Sequence, residues 1–239
     1  MATTQERILE AAERLFAERG YDRTSLRAIT AAAGANLAAV NYHFKTKEAL
    51  IQAVLARILG PLNRQRLAML EASRAQAGRG PVPLERLVRD FLEPVLRLGC
   101  NPPRGASLKM LLGRLNAEPR RELHRIFVGE LAEVVRQFSQ AFRLALPGLP
   151  AEDLYWRLLF AVGAATHALG AGPMLALLSG GLADPADVDA LVERLSGFVV
   201  AGLMAPSTST VRAGSRRKTL GRTSSAGDRA ERCRRPSRK

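Results

Sequence analysis

Apolar residues recur along most of this chain with the 3.6-residue period of amphipathic helices, and no alternating strand pattern of useful length interrupts them. The first predicted helix covers residues 3–19, where Thr3 and Glu6 fit a capping box and Gly20 follows the last turn as a C-cap. The pattern therefore predicts an all-α fold. After residue 46, further helices are predicted near residues 47–77, 84–98, 105–116, 119–145, 151–171 and 186–204.

Two short helices joined by a tight turn follow the first helix. They are predicted at about Leu26–Ala33 and Leu37–Tyr42, with Gly34 between them to supply the backbone freedom of a sharp corner. Asn36 can cap the second of them, and Thr46 can cap the long helix that comes next. Two compact helices with a glycine-containing turn are typical of a helix-turn-helix, whose second helix enters the major groove of DNA.

One breaker interrupts the long helical pattern from residue 47 to about 77. Pro61 has no backbone N–H and its ring crowds the preceding turn, so we expect it to kink the helix or divide it. The segment AGRGPVP at residues 77–83 is then the first loop of the second half of the chain.

Three motifs at fixed spacings within the first 55 residues carry a family resemblance. FAERGY at residues 16–21, TSLRAI at residues 24–29 and YHFKTK at residues 42–47 resemble elements of the DNA-binding domain of TetR-type transcriptional regulators. The matched residues are Phe16, Gly20, Tyr21, Thr24, Ser25, Ile29, Tyr42, His43, Phe44 and Lys47. The resemblance implies an N-terminal three-helix helix-turn-helix domain followed by a helical ligand-binding and dimerisation bundle.

We divide the chain accordingly into a helix-turn-helix domain at residues 1–47, a ligand-binding and dimerisation domain at residues 48–204 with a linking helix at about 47–77, and a tail at residues 205–239. The tail has no apolar period and is expected to be disordered. It carries 11 Lys and Arg against 2 Asp and Glu, so +9 of the net charge of +14 lies there and +5 remains elsewhere. Overall basicity is therefore a weak indication of operator binding. The tail could raise non-specific DNA affinity or could simply aid solubility.

Side chains around the helix-turn-helix are candidates for DNA contact. Lys47 lies in the first turn of its helix, where its charge opposes the macrodipole unless a phosphate binds there; a solvated lysine is the alternative. Tyr42 and His43 suit phosphate contacts, although either ring could pack against the next helix. Arg27 could reach a guanine edge or a phosphate. The predicted DNA-binding residues are Thr24, Ser25, Arg27, Asn36, Leu37, Ala38, Ala39, Asn41, Tyr42, His43 and Lys47.

The operator sequence does not follow from this set. Thr24 and Ser25 can each cap a helix and also contact a phosphate. A phosphate contact carries no information about the base sequence. Ala38 and Ala39 can only press methyl groups on thymine, and Asn41 could pair with adenine or bind the backbone.

The resemblance implies a small-molecule pocket among the middle helices. Apolar candidates for its wall are Phe91, Met110, Leu111, Phe127, Leu131 and Phe138, with ordinary core packing as the alternative for each. Polar candidates are Arg104, Arg114, Trp156 and His167. The segments NLAAVNYHF, LGP and LPGLPAEDLYWRLLFAVGA are similar to family members that regulate fatty-acid metabolism, which suggests a fatty acid or acyl thioester as effector.

The last two predicted helices are apolar almost all round, with small residues at the centre. Such a surface needs more than one neighbouring helix, which could be supplied within one subunit or by a partner. In TetR-type proteins the last two helices of each subunit form a four-helix dimer interface, so the resemblance implies a homodimer. The candidate interface residues are Phe160, Gly163, Ala164, Ala168, Leu191, Leu195, Phe198, Val199 and Gly202.

No motif indicates catalysis or a bound metal. The three histidines fall on separate predicted helices, and GxSxG, P-loop, GxGxxG and CxxC patterns are missing from the sequence. Cys100 and Cys233 lie far apart, one of them in the tail, so no disulfide framework is expected. No apolar run reaches transmembrane length. We expect a cytoplasmic protein without cofactor that makes no membrane contact.

The leading hypothesis is a ligand-responsive repressor that binds palindromic double-stranded operator DNA as a homodimer. The alternative is a small-molecule-binding or catalytic helical bundle whose helix-turn-helix is vestigial.

Overall fold

The chain consists of helices and their connections in the part that the computed structural model describes, residues 2–101, 104–117 and 120–207. The N-terminal helices are α1 (Thr4–Arg19), α2 (Leu26–Ala33), α3 (Leu37–Phe44) and α4 (Lys47–Ala77). The later helices are α5 (Leu84–Cys100), α6 (Arg104–Ala117), α7 (Arg121–Ala145), α8 (Ala151–Gly170), α9 (Gly172–Leu178) and α10 (Val188–Met204). The predicted all-α class is confirmed for these residues, and the predicted tail lies outside them from residue 208 on.

Local capping residues fix the helix starts and the corner of the predicted helix-turn-helix. The Glu6 amide donates to Thr3 Oγ1 at 3.2 Å and the Thr3 amide donates to Glu6 Oε2 at 2.7 Å, which completes the capping box of α1. Asn36 Oδ1 accepts from the Ala39 amide at 2.8 Å where α3 begins. Gly34 has a φ of 58°, the left-handed conformation that turns the chain between α2 and α3.

The first hydrophobic core joins the N-terminal helices to the ends of α6 and α7. Helices α1–α4 supply most of it, including Ile8, Leu15, Phe16, Ile29, Val40, Leu50 and Val54. Leu108 and Leu111 of α6 and Leu123 of α7 are buried in the same cluster. The N-terminal helices therefore contact the C-terminal bundle directly as well as through α4.

A second core lies among α5, α7, α8 and α10, with Phe138 and Phe142 of α7 fully buried in it. Arg157 of α8 donates from Nη1 to the carbonyls of Leu203 and Ala205, each at 2.7 Å, where α10 ends. The last carbonyls of a helix have no helical partner. Arg157 therefore satisfies them and ties α8 to α10.

The helix pattern differs from the prediction in one place. No helix was predicted between residues 171 and 186, but residues 172–178 form α9. Pro173 suits the first turn of a helix, and the following Met, Leu and Ala residues are strong helix formers. Pro61 was expected to kink α4 or to divide it, and division is excluded because α4 continues as one helix to Ala77.

Candidate nucleic-acid interface and neighbouring surfaces

Helix α3 presents one polar face to solvent and packs its other face into the first core. Val40 and Phe44 are buried, whereas Asn41 and His43 are exposed and Tyr42 is 82% exposed. The Tyr42 ring meets the His43 ring edge-on at a centroid distance of 5.1 Å. Tyr42 therefore does not pack into the core, and its hydroxyl is accessible to a phosphate.

The remaining predicted DNA-binding residues, apart from Thr24 and Lys47, lie at the surface around α2 and α3. Arg27, Asn36, Leu37 and Ala38 are exposed and Ala39 is half-buried. Ser25 is exposed and its Oγ accepts from the Ala28 amide at 3.1 Å, so it caps α2 as predicted. Contact between these side chains and DNA stays a prediction.

Thr24 is a correction to the predicted DNA-binding set. Its side chain is fully buried, and its hydroxyl lies 2.8 Å from the Gly20 carbonyl and 3.1 Å from the Leu15 carbonyl. A hydroxyl that donates to these carbonyls at the end of α1 cannot reach a phosphate. Thr24 instead holds the turn between α1 and α2.

Lys47 has an aromatic neighbour that sequence reasoning missed. Its Nζ lies 4.2 Å from the centroid of the Tyr21 ring, a distance typical of a cation–π contact. The Tyr21 hydroxyl donates to Glu48 Oε1 at 2.7 Å. Burial, followed by this hydrogen bond, raises the pKa of Tyr21, and the same bond lowers the pKa of the Glu48 carboxyl. An anion is therefore not required to explain a cation at the start of α4.

The turn between α3 and α4 is strained at Lys45. This exposed residue has a φ of 63° and a ψ of −50°, and the Thr46 amide donates to the Phe44 carbonyl at 2.7 Å across it. An i to i+2 hydrogen bond with positive φ is a rare, strained γ-turn. Nothing in the dipeptide Lys45-Thr46 signals this conformation, because neither residue favours positive φ.

The predicted small-molecule pocket is not formed by the residues proposed for it. Phe91, Phe138 and Phe142 fill the second core as an aromatic cluster, with ring centroids 5.2–6.3 Å apart. The buried guanidinium of Arg66 lies 4.9 Å from the Phe91 ring, and its Nε donates to the Phe91 carbonyl at 2.9 Å. Burial lowers the pKa of Arg66 to about 10. This region is packed core.

The other pocket candidates are dispersed. Leu111 is buried in the first core, against which Phe127 and Leu131 pack, while Met110 and Trp156 are exposed at the surface. His167 is exposed and lines a shallow cavity of about 370 Å³ with Lys109 and Met174. Arg104 and Arg114 lie outside the residues whose side chains the structure describes. Packing rather than periodicity decides these positions, so the described candidates do not share one pocket, and the pocket roles of Arg104 and Arg114 stay predictions.

A larger cavity, of about 660 Å³, lies between the N-terminal helices and the bundle. It opens between α1, α4, α5 and α6, and its wall includes Glu10, Glu13, Arg57, Leu62, Leu98 and Ser107. None of the predicted pocket residues whose side chains the structure describes is among the residues that line it. Sequence reasoning missed this site because its wall comes from four helices that are distant along the chain.

Helices α8 and α10 expose the large apolar side chains that a partner subunit could cover. Phe160 and Phe198 are 63% and 69% exposed, and the Trp156 ring lies tilted against the Phe160 ring with centroids 5.9 Å apart. Gly163 and Gly202 are also exposed. Two interface predictions are corrected, because Leu195 and Val199 are buried in the second core of their own subunit. Ala164, Ala168 and Leu191 are half-buried.

Within the described ranges, no group of His, Cys, Asp and Glu side chains is arranged to hold a metal ion. No single described helix is long and apolar enough to cross a membrane. Helices α8 and α9 together have the length and the apolar composition of a membrane span, but the chain bends by 78° between them.

Comparison with protein families gives two matches. The model described as bacterial regulatory proteins, tetR family, matches residues 8–54. The model described as tetracyclin repressor-like, C-terminal domain, matches residues 89–202. Together they span the helix-turn-helix and most of the bundle.

One curated relative is similar to this chain over part of its length. The HTH-type transcriptional repressor BepR of Brucella suis is 38% identical over 73 residues, which is 30% of this chain and 34% of that protein. The chain thus aligns with about a third of this relative's length.

Solved structures share the fold over nearly the whole length. The fatty acid degradation regulator FadR from Bacillus halodurans has a TM-score of 0.56 and 14% identity, covering 86% of this chain and 99% of that one. The SmeT–triclosan complex has a TM-score of 0.57 and 21% identity, covering 86% and 96%. At such identities the likeness establishes the fold alone.

Proposed function

This chain belongs to the TetR family of bacterial regulatory proteins, and on that premise we propose that it is a homodimeric repressor of transcription. It binds a palindromic operator through α3 of each subunit. A small hydrophobic effector, such as a fatty acid or an acyl thioester, releases it. The family consists of regulators of transcription and not of enzymes.

The observation that carries this proposal is the outward face of α3. A short helix anchored by Val40 and Phe44 exposes Asn41, Tyr42 and His43, all of which can bond to phosphate or to base edges. Ser25 and Asn36 cap the first turns of α2 and α3, and Ile29 and Val40 hold the two helices together in the first core. A recognition helix needs this combination of a fixed backbone and exposed polar side chains.

Two copies of α3 are needed to read a palindrome, with half-sites about one helical turn of DNA apart. The apolar side chains exposed on α8 and α10, Phe160 and Phe198 among them, support a dimer that joins subunits through these helices. This arrangement leaves α3 free on each subunit.

The first core supports coupling between the bundle and the recognition helix. Leu108 and Leu123 place α6 and α7 against the N-terminal helices. Arg120, next to the start of α7, forms a two-point ion pair with Asp22 after α1, at 2.6 and 2.8 Å. An effector that prefers one arrangement of α6 and α7 therefore shifts the equilibrium between two positions of α3, and its differential affinity sets how far that equilibrium moves.

The effector class is supported by the name of a structural neighbour, the fatty acid degradation regulator, and by the segments that resemble such regulators. The triclosan bound to another neighbour supplies an alternative, drug-like class. Mass spectrometry of compounds that co-purify with the protein distinguishes the two.

A mobility shift with the protein's own upstream DNA tests the core of the proposal. We expect retardation at low salt and a weaker complex for Tyr42→Ala, with all sequences affected alike and a flatter salt dependence, because a phosphate contact is lost. Leu144→Ala, an exposed apolar position on α7, is the matched control. No retardation of any fragment would favour the rival, a small-molecule-binding bundle with a vestigial helix-turn-helix.

A further inference from the structure

The cavity between α1, α4, α5 and α6 has the size and the lining of a small-molecule site. Its volume of about 660 Å³ falls within the range of roughly 300–1,000 Å³ that is usual for ligand pockets. Ile58, Pro61 and Leu62 of α4 and Leu98 of α5 give it an apolar wall. Such a wall suits the hydrophobic body of a ligand.

The charged side chains of the cavity favour a cation over an anion. The Glu13 side chain is only 17% exposed, and its ion-pair partner among the described residues is Arg57, with Nε 3.8 Å from Oε2. Arg14 also lines the cavity, but its side chain is 55% exposed and lies 3.8 Å from Glu18. Arg57 also pairs with Glu10 at 3.3 Å. An anion that took Arg57 from these carboxylates would leave the mostly buried Glu13 uncompensated, which is costly.

A cation can instead take the place of the Arg57 guanidinium. The Arg57 side chain is 38% exposed, and its long flexible stem lets the charged head turn out into solvent. Glu10 and Glu13 then face the incoming charge. We propose that this cavity binds a lipophilic organic cation, which Glu13 and Glu10 hold by charge and the wall of α4 and α5 holds by apolar contact.

The position of the cavity links its occupancy to α3. The ion pairs of Arg57 join α1 to α4, and a bound cation replaces them. Pro61 has no backbone N–H, so its helical bond to the Arg57 carbonyl cannot form and α4 bends more readily at this turn. A cation between α1 and α4 therefore changes the angle between them. This coupling to operator binding rests on the proposed function, whereas binding of the cation does not.

Calorimetric titration of the full-length protein with tetraphenylphosphonium tests the site. Tetraphenylborate, which carries the same four phenyl groups and the opposite charge, is the matched anion. We expect saturable binding of the cation, weakened about tenfold by Glu13→Gln because a charge in a mostly buried site is lost. Glu71→Gln changes a carboxylate on α4 that is 80% exposed and does not line the cavity, so it should leave binding unchanged.

Two further variants distinguish specific binding of a cation from a purely structural role of Glu13 and Arg57. Arg57→Met removes the competing internal cation, so it should tighten binding of tetraphenylphosphonium, whereas simple damage to the cavity would loosen it. Ser107→Phe places a large ring at the wall formed by α6 and should block binding. Circular dichroism confirms that each variant is folded.

The inference is overturned by any of three results: no saturable binding of the cation, unchanged affinity in Glu13→Gln, or tetraphenylborate binding that Ser107→Phe abolishes. The mobility shift repeated at saturating cation tests the coupling, for which we expect a change in operator affinity of about 5- to 150-fold. An unchanged operator affinity would refute the coupling. Cation binding without any operator complex would instead refute the proposed repressor and leave the site standing.

Discussion

Lys45 concentrates backbone strain at the junction that holds the recognition helix. Among the described residues, Lys45 is the non-glycine residue whose φ is positive. It lies in the γ-turn between α3 and α4. Such conformations cost about 1–3 kcal/mol for a residue with a Cβ atom. We expect Lys45→Gly to raise the free energy of unfolding by about 1 kcal/mol, after the greater flexibility of glycine in the unfolded chain is subtracted.

Urea unfolding measures this effect as a higher midpoint at an unchanged slope. Lys45→Ala is the control, because it removes the charge but keeps the Cβ atom and hence the strain. Equal stabilisation by the two variants would show that charge and not backbone strain is responsible.

The hydrogen bond from Tyr21 to Glu48 predicts a pH dependence of the folding stability. A variant of Tyr21 separates this contribution from those of the other carboxylates. Its hydroxyl is the largest cause of the lowered pKa of Glu48. A carboxyl group with a lowered folded-state pKa adds stability above its unfolded pKa, and this stability is lost as pH falls through the folded-state value. Tyr21→Phe keeps the ring next to Lys47 and removes the hydroxyl, so we expect it to destabilise the protein by up to about 1 kcal/mol near pH 7.

The stability difference between wild type and Tyr21→Phe should shrink as pH falls below the ordinary pKa of a glutamate, about 4.3, and through the lowered folded-state pKa of Glu48. Thermal unfolding across that range measures it. Tyr155→Phe on α8, an exposed tyrosine, should show no pH-dependent difference. A Tyr21→Phe effect that is constant with pH would mean that Glu48 is not its cause.

At the scale of helices, α5 and α6 approach so closely that a side chain is excluded. A Cβ atom added at Gly105 would overlap the carbonyl group of Gly99, and the backbone cannot yield as a flexible side chain can. Gly113 in the same helix has open space around it. We expect Gly105→Ala to lower the free energy of unfolding by about 2 kcal/mol, as overpacking does, and Gly113→Ala to raise it by about 0.5–1 kcal/mol through lower unfolded-state entropy.

Denaturant unfolding of the two variants side by side checks this pair. The substitution and the helix are the same in both variants. Opposite changes in the free energy of unfolding would therefore be due to the contact between α5 and α6. If both variants were stabilised, α5 and α6 would have to lie farther apart than the structure shows.

Features set by nearby residues were predictable, and those set by distant ones were not. The capping box of Thr3, the corner at Gly34 and the cap at Asn36 follow from residues within four positions, so the N-terminal helices were placed almost to the residue. The burial of Thr24 depends on carbonyls at the end of α1. The contact of Lys47 with Tyr21 spans 26 positions along the chain. Neither leaves a periodic signal in the sequence.

The same distinction explains the failure of the predicted pocket. Apolar periodicity identifies which face of a helix is inward but not whether that face meets another helix or a cavity. The rings of Phe91 and Phe138 pack against each other and fill the space between their helices, whereas the open cavity lies beside the ion pair of Glu13 and Arg57 that joins α1 to α4. Locating such a site needs the three-dimensional arrangement.

At the scale of the whole molecule, the proposed dimer requires the apolar side chains exposed on α8 and α10 to bring two recognition helices together. Phe198 is exposed at the centre of α10, and burial of an aromatic ring at a subunit interface is a major source of association energy. Phe198→Asp places a charge in that interface. We expect sedimentation equilibrium to show a monomer, and operator affinity to fall by about two orders of magnitude because the second half-site contact is no longer intramolecular.

Leu144→Asp is the control for this variant, since it introduces the same charge at an exposed apolar residue of α7 that is not part of the proposed interface. It should remain dimeric and bind the operator as wild type does. If Phe198→Asp stayed dimeric, the subunits would have to associate through another surface, and the spacing of the two α3 helices would need to be derived anew. If it became monomeric but kept full operator affinity, one recognition helix would suffice and the palindrome would have no role.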